Sequence, residues 1–104
     1  MKIILVCSAG MSTSMLVKKM RQAAKEKGID AEIEATAEAG LHNEFNTTDV
    51  ILIGPQVRFL EKKIAEKSAA YQIPVAVINS MAYGMMDGTK VLEQALEMKQ
   101  SGKA

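Results

Sequence analysis

The chain has no tryptophan, one cysteine, one histidine and two prolines, and its only other aromatic residues are two tyrosines and two phenylalanines. Each scarcity excludes something. A lone cysteine, Cys7, cannot close an internal disulfide, which points to a reducing, cytoplasmic setting. Neither sign of charge predominates. Thirteen Lys and Arg stand against 12 Asp and Glu, a formal net charge of +1, so there is no broad basic field to hold nucleic acid. Long apolar runs are missing as well: Ile3 to Val6 and Val50 to Ile53 fall far short of the ~20 residues a membrane helix needs. Lys2 leads straight into strand-like residues, without the pattern of a signal peptide. No period of about 20–50 residues marks a repeat protein. No Cys, His, Asp and Glu grouping has metal-ligand spacing and no glycine run matches a nucleotide fingerprint, so neither a metal nor a cofactor is expected.

What is present is ordinary globular composition, 48% hydrophobic and 24% charged over 104 residues. That length suits one domain, residues 1–104, with one core. Eight methionines suit an adaptable core and an adaptable contact surface, and core filling is the expected role for most of them. Strand and helix patterns alternate, which predicts an α/β fold on a parallel sheet with helices on both faces.

Ile3 to Val6 reads as a buried strand. A helix follows from about Ser12 to Lys27, stopped by Gly28, with a polar face of Lys18, Lys19, Arg21, Lys25 and Lys27. Ala31 to Thr36 alternates small or apolar with acidic residues and predicts an edge strand. Glu38 to Thr48 is polar and reads as a short helical turn or loop. Val50 to Ile53 is wholly apolar and belongs at the sheet centre. A helix from about Val57 to Ala70 turns Val57, Leu60, Ile64 and Ala65 inward, and a strand from Pro74 to Ile78 opens on a proline. Asn79 to Met86 reads as a loop or short turn. Asp87 caps a last helix carrying Val91, Leu92, Ala95 and Met98 on one stripe, and Gln100 to Ala104 is expected to fray. Right-handed crossovers then give the strand order 2-1-3-4.

The stretch on which function centres is Val6-Cys7-Ser8-Ala9-Gly10-Met11-Ser12-Thr13-Ser14. A strand end, a loop of small and hydroxylated residues and a helix start together make an anion site. Loop N–H groups converge there, and the positive end of the helix points at the same place. The nucleophilic form of a thiol is the thiolate, which helix N-termini favour. A cysteine so placed reads as one that can accept and hold a phosphoryl group. In such a sheet ligands sit beyond the carboxyl ends of the strands, at the switch point between strands one and three. The loops that leave that edge are Cys7 to Ser14 and Gly54-Pro55-Gln56, with Asn79-Ser80 one strand further along.

These residues, together with Leu52 to Val57, Tyr83-Gly84 and Asp87-Gly88, resemble the IIB component of the sugar phosphotransferase system, lactose/cellobiose family, over nearly the whole chain. The resemblance implies a four-stranded parallel α/β domain and a phosphocysteine at Cys7, with Ser8 to Ser14 as its phosphate loop. It implies a phosphohistidine donor on a IIA partner and transfer to a sugar carried by a membrane IIC partner. The Met-Ser-Thr-Ser loop is most similar to the cellobiose/chitobiose branch, which implies a β-linked disaccharide.

The loop also looks like that of low-molecular-weight tyrosine phosphatases, whose pattern is Cys, five residues, Arg, Ser. Here Thr13 stands at the arginine position and Ser14 at the serine. No general acid stands out, Asp87 being a candidate by its loop position alone. A phosphatase needs the guanidinium to grip equatorial oxygens and an acid to protonate the leaving group. Lacking the arginine, the loop suits relay over hydrolysis.

The rival readings are a thiol enzyme of the phosphatase or arsenate-reductase type and a non-catalytic anion-binding domain. Set against the plainer readings, Ser8, Ser12, Thr13 and Ser14 serve as turn and capping residues as well as phosphate contacts, and Gly10 supplies backbone freedom. Gly54, Pro55, Gln56, Asn79, Ser80 and Tyr83 are candidate supporting or docking residues. Lys18, Lys19 and Arg21 read as a solvated helix face, and His42 as an exposed bystander.

Overall fold

The computed structural model describes residues 1–7, 11–41 and 44–101, leaving out the side chains of 11–13, 38, 39 and 101. Four parallel strands, β1 (Lys2–Val6), β2 (Glu32–Thr36), β3 (Val50–Ile53) and β4 (Val75–Val77), form one sheet in the order β2-β1-β3-β4. The helices are α1 (Met11–Glu26), α2 (Glu38–Leu41), α3 (Glu61–Ala69), α4 (Ser80–Gly84) and α5 (Gly88–Ser101). No helix among the described residues is long and apolar enough to cross a membrane.

The strand alternation divides the apolar residues. Ile3, Leu5, Val50 and Leu52 face one way, onto Leu16, Val17 and Met20 of α1 and Val91, Leu92 and Ala95 of α5. Ile4, Val6, Ile51 and Ile53 face the other way, onto Leu41, Val57 and Ile64. The single core expected from length is therefore two apolar layers with the sheet between them. Central strands covered on both faces must be apolar at every position, as β3 is, whereas edge strand β2 fully buries only Ile33.

Local chemistry sets the helix ends. Gly28, at φ +70°, lets its own N–H reach Lys25 O (3.2 Å) and the Ile29 N–H reach Ala24 O (2.8 Å), closing α1. Asp87 caps α5 as expected, its Oδ1 accepting from Lys90 N at 3.1 Å.

Several boundaries differ from expectation. The helix after β3 begins as a 3-10 segment, Pro55–Leu60, with Val57 (φ −121°, ψ 29°) outside helical geometry, and α3 proper starts at Glu61. Pro55 lacks an N–H and has its φ fixed by the ring, and the tight turn lets Val57 N reach Gly54 O at 3.0 Å. Ala65 is half-buried, and the small Ser68 takes the fully buried position, its Oγ without a hydrogen-bond partner. The stretch Asn79 to Met86, expected as a loop or short turn, contains α4, capped by Asn79 Oδ1 accepting from Ala82 N at 3.0 Å. Helix α5 continues to Ser101, so Gln100 is helical, while 102–104 lie outside the described residues.

Both open edges of the sheet are occupied by helix side chains. Arg21, expected on a solvated face, donates from Nε (2.9 Å) and Nη2 (2.6 Å) to Ile33 O on β2. On β4, Gln94 Nε2 donates to Val77 O and its Oε1 accepts from Asn79 N, both at 3.0 Å. That carboxamide takes the two groups a further parallel strand would have used, blunting the edge.

At the opposite end of the sheet, Asp49 Oδ1 accepts from Lys99 Nζ (2.6 Å) and Oδ2 from Lys2 N (2.7 Å). The Lys99 bond, foremost, and the Lys2 N–H hold this carboxyl below its usual range. A depressed carboxyl stabilises the fold above its unfolded value and loses that contribution as pH falls through the folded one. Asp49→Ala is therefore expected to cost about 1 kcal/mol at pH 7 and progressively less as pH falls below the usual carboxylate range, by urea unfolding over a series of pH values.

Candidate functional site

The carboxyl edge of the sheet is fixed by a row of backbone bonds. Cys7 N donates to Thr36 O (3.1 Å), Gly54 N to Val6 O (2.8 Å) and Ile78 N to Ile53 O (2.8 Å). The end of β1 is thus held from both sides, and Cys7 follows it directly. The cysteine is a free thiol and 6% exposed. Four residues later the backbone enters α1 at Met11. This helix is 16 residues long with no acidic residue in its first turn, so no carboxylate of its own offsets the positive end.

Among the predicted loop residues, Ser8, Ala9 and Gly10 lie outside the described residues, as does His42. Met11, Ser12 and Thr13 form the first turn of α1 in backbone, and their side chains are not described; Ser14 is exposed.

The second loop is described throughout. Gly54 has an extended backbone (φ −61°, ψ 141°), so its glycine answers to space and not to a left-handed turn. A Cβ there would stand 2.9 Å from Gln56 Oε1 and 3.3 Å from Val6 O. Pro55 opens the 3-10 segment, and the exposed Gln56 donates from Nε2 to Tyr83 Oη at 2.6 Å. Asn79 is committed to fold, with its backbone on Gln94 and its side chain capping α4, and Ser80 is exposed.

The sequence named these residues one by one; the structure joins Gln56 to Tyr83 and leaves Asn79 and Ser80 outside that bond. What the sequence does not tell is which methionines are exposed. Met20 fills the core, but Met15 (57%), Met81 (72%) and Met85 (66%) stand out in solvent, the last two a helical turn apart, on α4 and at its C-cap. Met81 and Met85 line a groove of about 550 Å³ between α4 and α5, to which Cys7, Gln56 and Tyr83 do not contribute. Among the described residues no group of three or more His, Cys, Asp or Glu could hold a metal ion.

The arrangement puts one cysteine at the switch point of an α/β sheet, four residues before a helix N-terminus, the end of a helix that favours negative charge.

Comparison with known proteins agrees with this geometry. Residues 2–94 match the family model described as PTS system, Lactose/Cellobiose specific IIB subunit. The chain is 46% identical over 97 residues to the oligo-beta-mannoside-specific EIIB component of Bacillus subtilis, covering 93% of this chain and 94% of that one. It is 47% identical over 98 residues to the galactose-specific EIIB component of Lactococcus lactis, covering 89% and 91%. The solution structure of the cellobiose-specific IIB component of Borrelia burgdorferi superposes with a TM-score of 0.81 at 45% identity, covering 98% and 94%. The fold alone extends to a YwlE mutant of Bacillus subtilis, with a TM-score of 0.55 at 15% identity over 99% and 97% of the two chains.

Proposed function

We propose, because this chain belongs to the lactose/cellobiose-specific IIB family of the phosphotransferase system, that Cys7 is its phosphoryl carrier. The chain is a phosphoryl-transfer subunit of a sugar phosphotransferase system, and components of this kind work with a IIA and a IIC partner. The observation that carries the reading is the position of Cys7, alone of its type, between the end of central strand β1 and the start of α1.

In the first step the Cys7 thiolate attacks the phosphorus of a phosphohistidine on IIA. An S–P bond forms, the N–P bond breaks, and the imidazole leaves with that electron pair. In the second step a hydroxyl oxygen of the sugar bound by IIC attacks phosphorus. The S–P bond breaks, the thiolate is restored, and the hydroxyl proton leaves to the partner or to water. The N–H groups of residues 8–14 and the hydroxyls of Ser8, Ser12, Thr13 and Ser14 would hold the transferring oxygens.

Both transfers take place on the cytoplasmic side of the membrane. The sugar we propose is a β-linked disaccharide of the cellobiose or chitobiose kind. Relatives named for oligo-beta-mannosides and for galactose are equally near in sequence, which fits specificity residing in IIC.

The absence of arginine at position 13 separates this relay from a hydrolase. Given p-nitrophenyl phosphate alone, the protein is expected to release no nitrophenol above a Cys7→Ala control. With IIA, IIC and the upstream donor it is expected to phosphorylate sugar. Steady Cys7-dependent release of nitrophenol would favour the hydrolase.

A further inference from the structure

The ring of Tyr83 packs against the layer formed with α1 and α5. Its hydroxyl accepts a hydrogen bond from Gln56, at the start of the 3-10 segment whose Val57 packs in the opposite layer. The bond therefore passes over the carboxyl edge of the sheet from one face to the other, joining residues 27 apart in sequence. It crosses at β3, the immediate neighbour of the strand that ends in Cys7.

Gly54 ties this crossing to the cysteine. Its N–H holds Val6 O, the carbonyl of the peptide leading into Cys7, and the space left by its missing Cβ is bounded by Gln56 Oε1 and by that same Val6 O. The Gln56 carboxamide thus has its Oε1 beside Gly54 and its Nε2 on the phenol. An exposed hydrogen bond between neutral groups adds little to folding. What this one does is fix the tip of Tyr83 over the edge where transfer takes place.

We infer that Gln56 and Tyr83 act as one positioning pair for phosphoryl transfer at Cys7. The bridge forms a fixed wall on the β3 side of the sulfur, and a donor histidine or acceptor hydroxyl seated against it meets the sulfur and phosphorus in line. Small misplacements of reacting groups cost large factors in rate, so a rigid wall acts on turnover more than on partner affinity. The inference rests on Cys7 being the carrier.

The test compares wild type with Gln56→Ala, Tyr83→Phe, the double variant and Gly54→Ala, which places a methyl group 2.9 Å from Gln56 Oε1. Single-turnover phosphorylation by phosphorylated IIA is followed over a range of IIA concentrations, with the thermal midpoint measured alongside. Each single variant is expected to lower the maximal rate about tenfold. The IIA concentration giving half that rate, the final single phosphate and the thermal midpoint are expected to stay near wild type. The double variant is expected to be no slower than the singles, as for two groups acting as a unit. Unchanged rates, losses that multiply in the double variant, or rate losses that track the thermal midpoint would each overturn the pair. A wild type that takes no phosphate on Cys7 would instead overturn the carrier reading itself.

Discussion

Gly88→Ala is expected to lower stability by about 3 kcal/mol, a large share of what a domain of this size has. A Cβ at Gly88 would stand 2.5 Å from Lys19 C and 2.7 Å from both Lys19 Cβ and Met20 N. Two of these three atoms are backbone, in the middle of α1, and cannot swing aside as a side-chain tip would. Helix α1 is itself held by Leu16, Val17 and Met20, so relief would have to move the α1–α5 contact as a whole. At roughly 4–8 °C per kcal/mol for a domain of about this length, the thermal midpoint should fall by about 12–24 °C. Gly84→Ala is the control. A Cβ there meets nothing within 4 Å, and alanine in a helix is favoured over glycine by up to ~1 kcal/mol, so this variant should be neutral or more stable. A thermal scan of both decides it. Equal midpoints for Gly88→Ala and wild type would mean that the two helices are not packed this closely.

Leu52→Ala is expected to cost about 3–5 kcal/mol. Leu52 is fully buried at the centre of β3, paired with Leu5 on one side and Ala76 on the other. Its side chain lies in the layer covered by α1 and α5, where surrounding residues can close the cavity only in part. The same truncation at Val75, half-buried on edge strand β4, should cost about 1 kcal/mol or less, because part of that surface is already wet. Urea midpoints at constant slope would show the difference. Similar losses at the two positions would argue against β3 being central.

The distinction between a central and an edge strand is legible in the residue pattern alone. Four apolar residues in succession place β3 inside, and alternation with glutamate places β2 at an edge. Gly28 and Asp87 announce the helix ends they close, because each acts within its own turn of chain. The 3-10 segment is hidden, since its Val57 and Leu60 fit the apolar spacing of an ordinary helix start. Helix α4 is hidden for another reason. Five residues are too few to show a period, although Asn79-Ser80 carries a capping signal that could have revealed it.

Contacts made at long range leave no local trace. Arg21 on Ile33 O and Gln94 on the β4 edge look, in sequence, like any polar helix face. Of the site, Cys7 is legible because a lone thiol before small and hydroxylated residues is a rare juxtaposition. The Gln56–Tyr83 bond is not, because only the strand order brings those two loops together.

The most direct measurement is the intact mass of the protein after incubation with the upstream phosphorylation cascade and IIA, for wild type and for Cys7→Ala. The expected result is one added phosphate on the wild type and none on the variant, with the variant still folded by circular dichroism. A wild-type mass that does not change, or a phosphate that persists when the sulfur is gone, would contradict the claim that Cys7 carries the group.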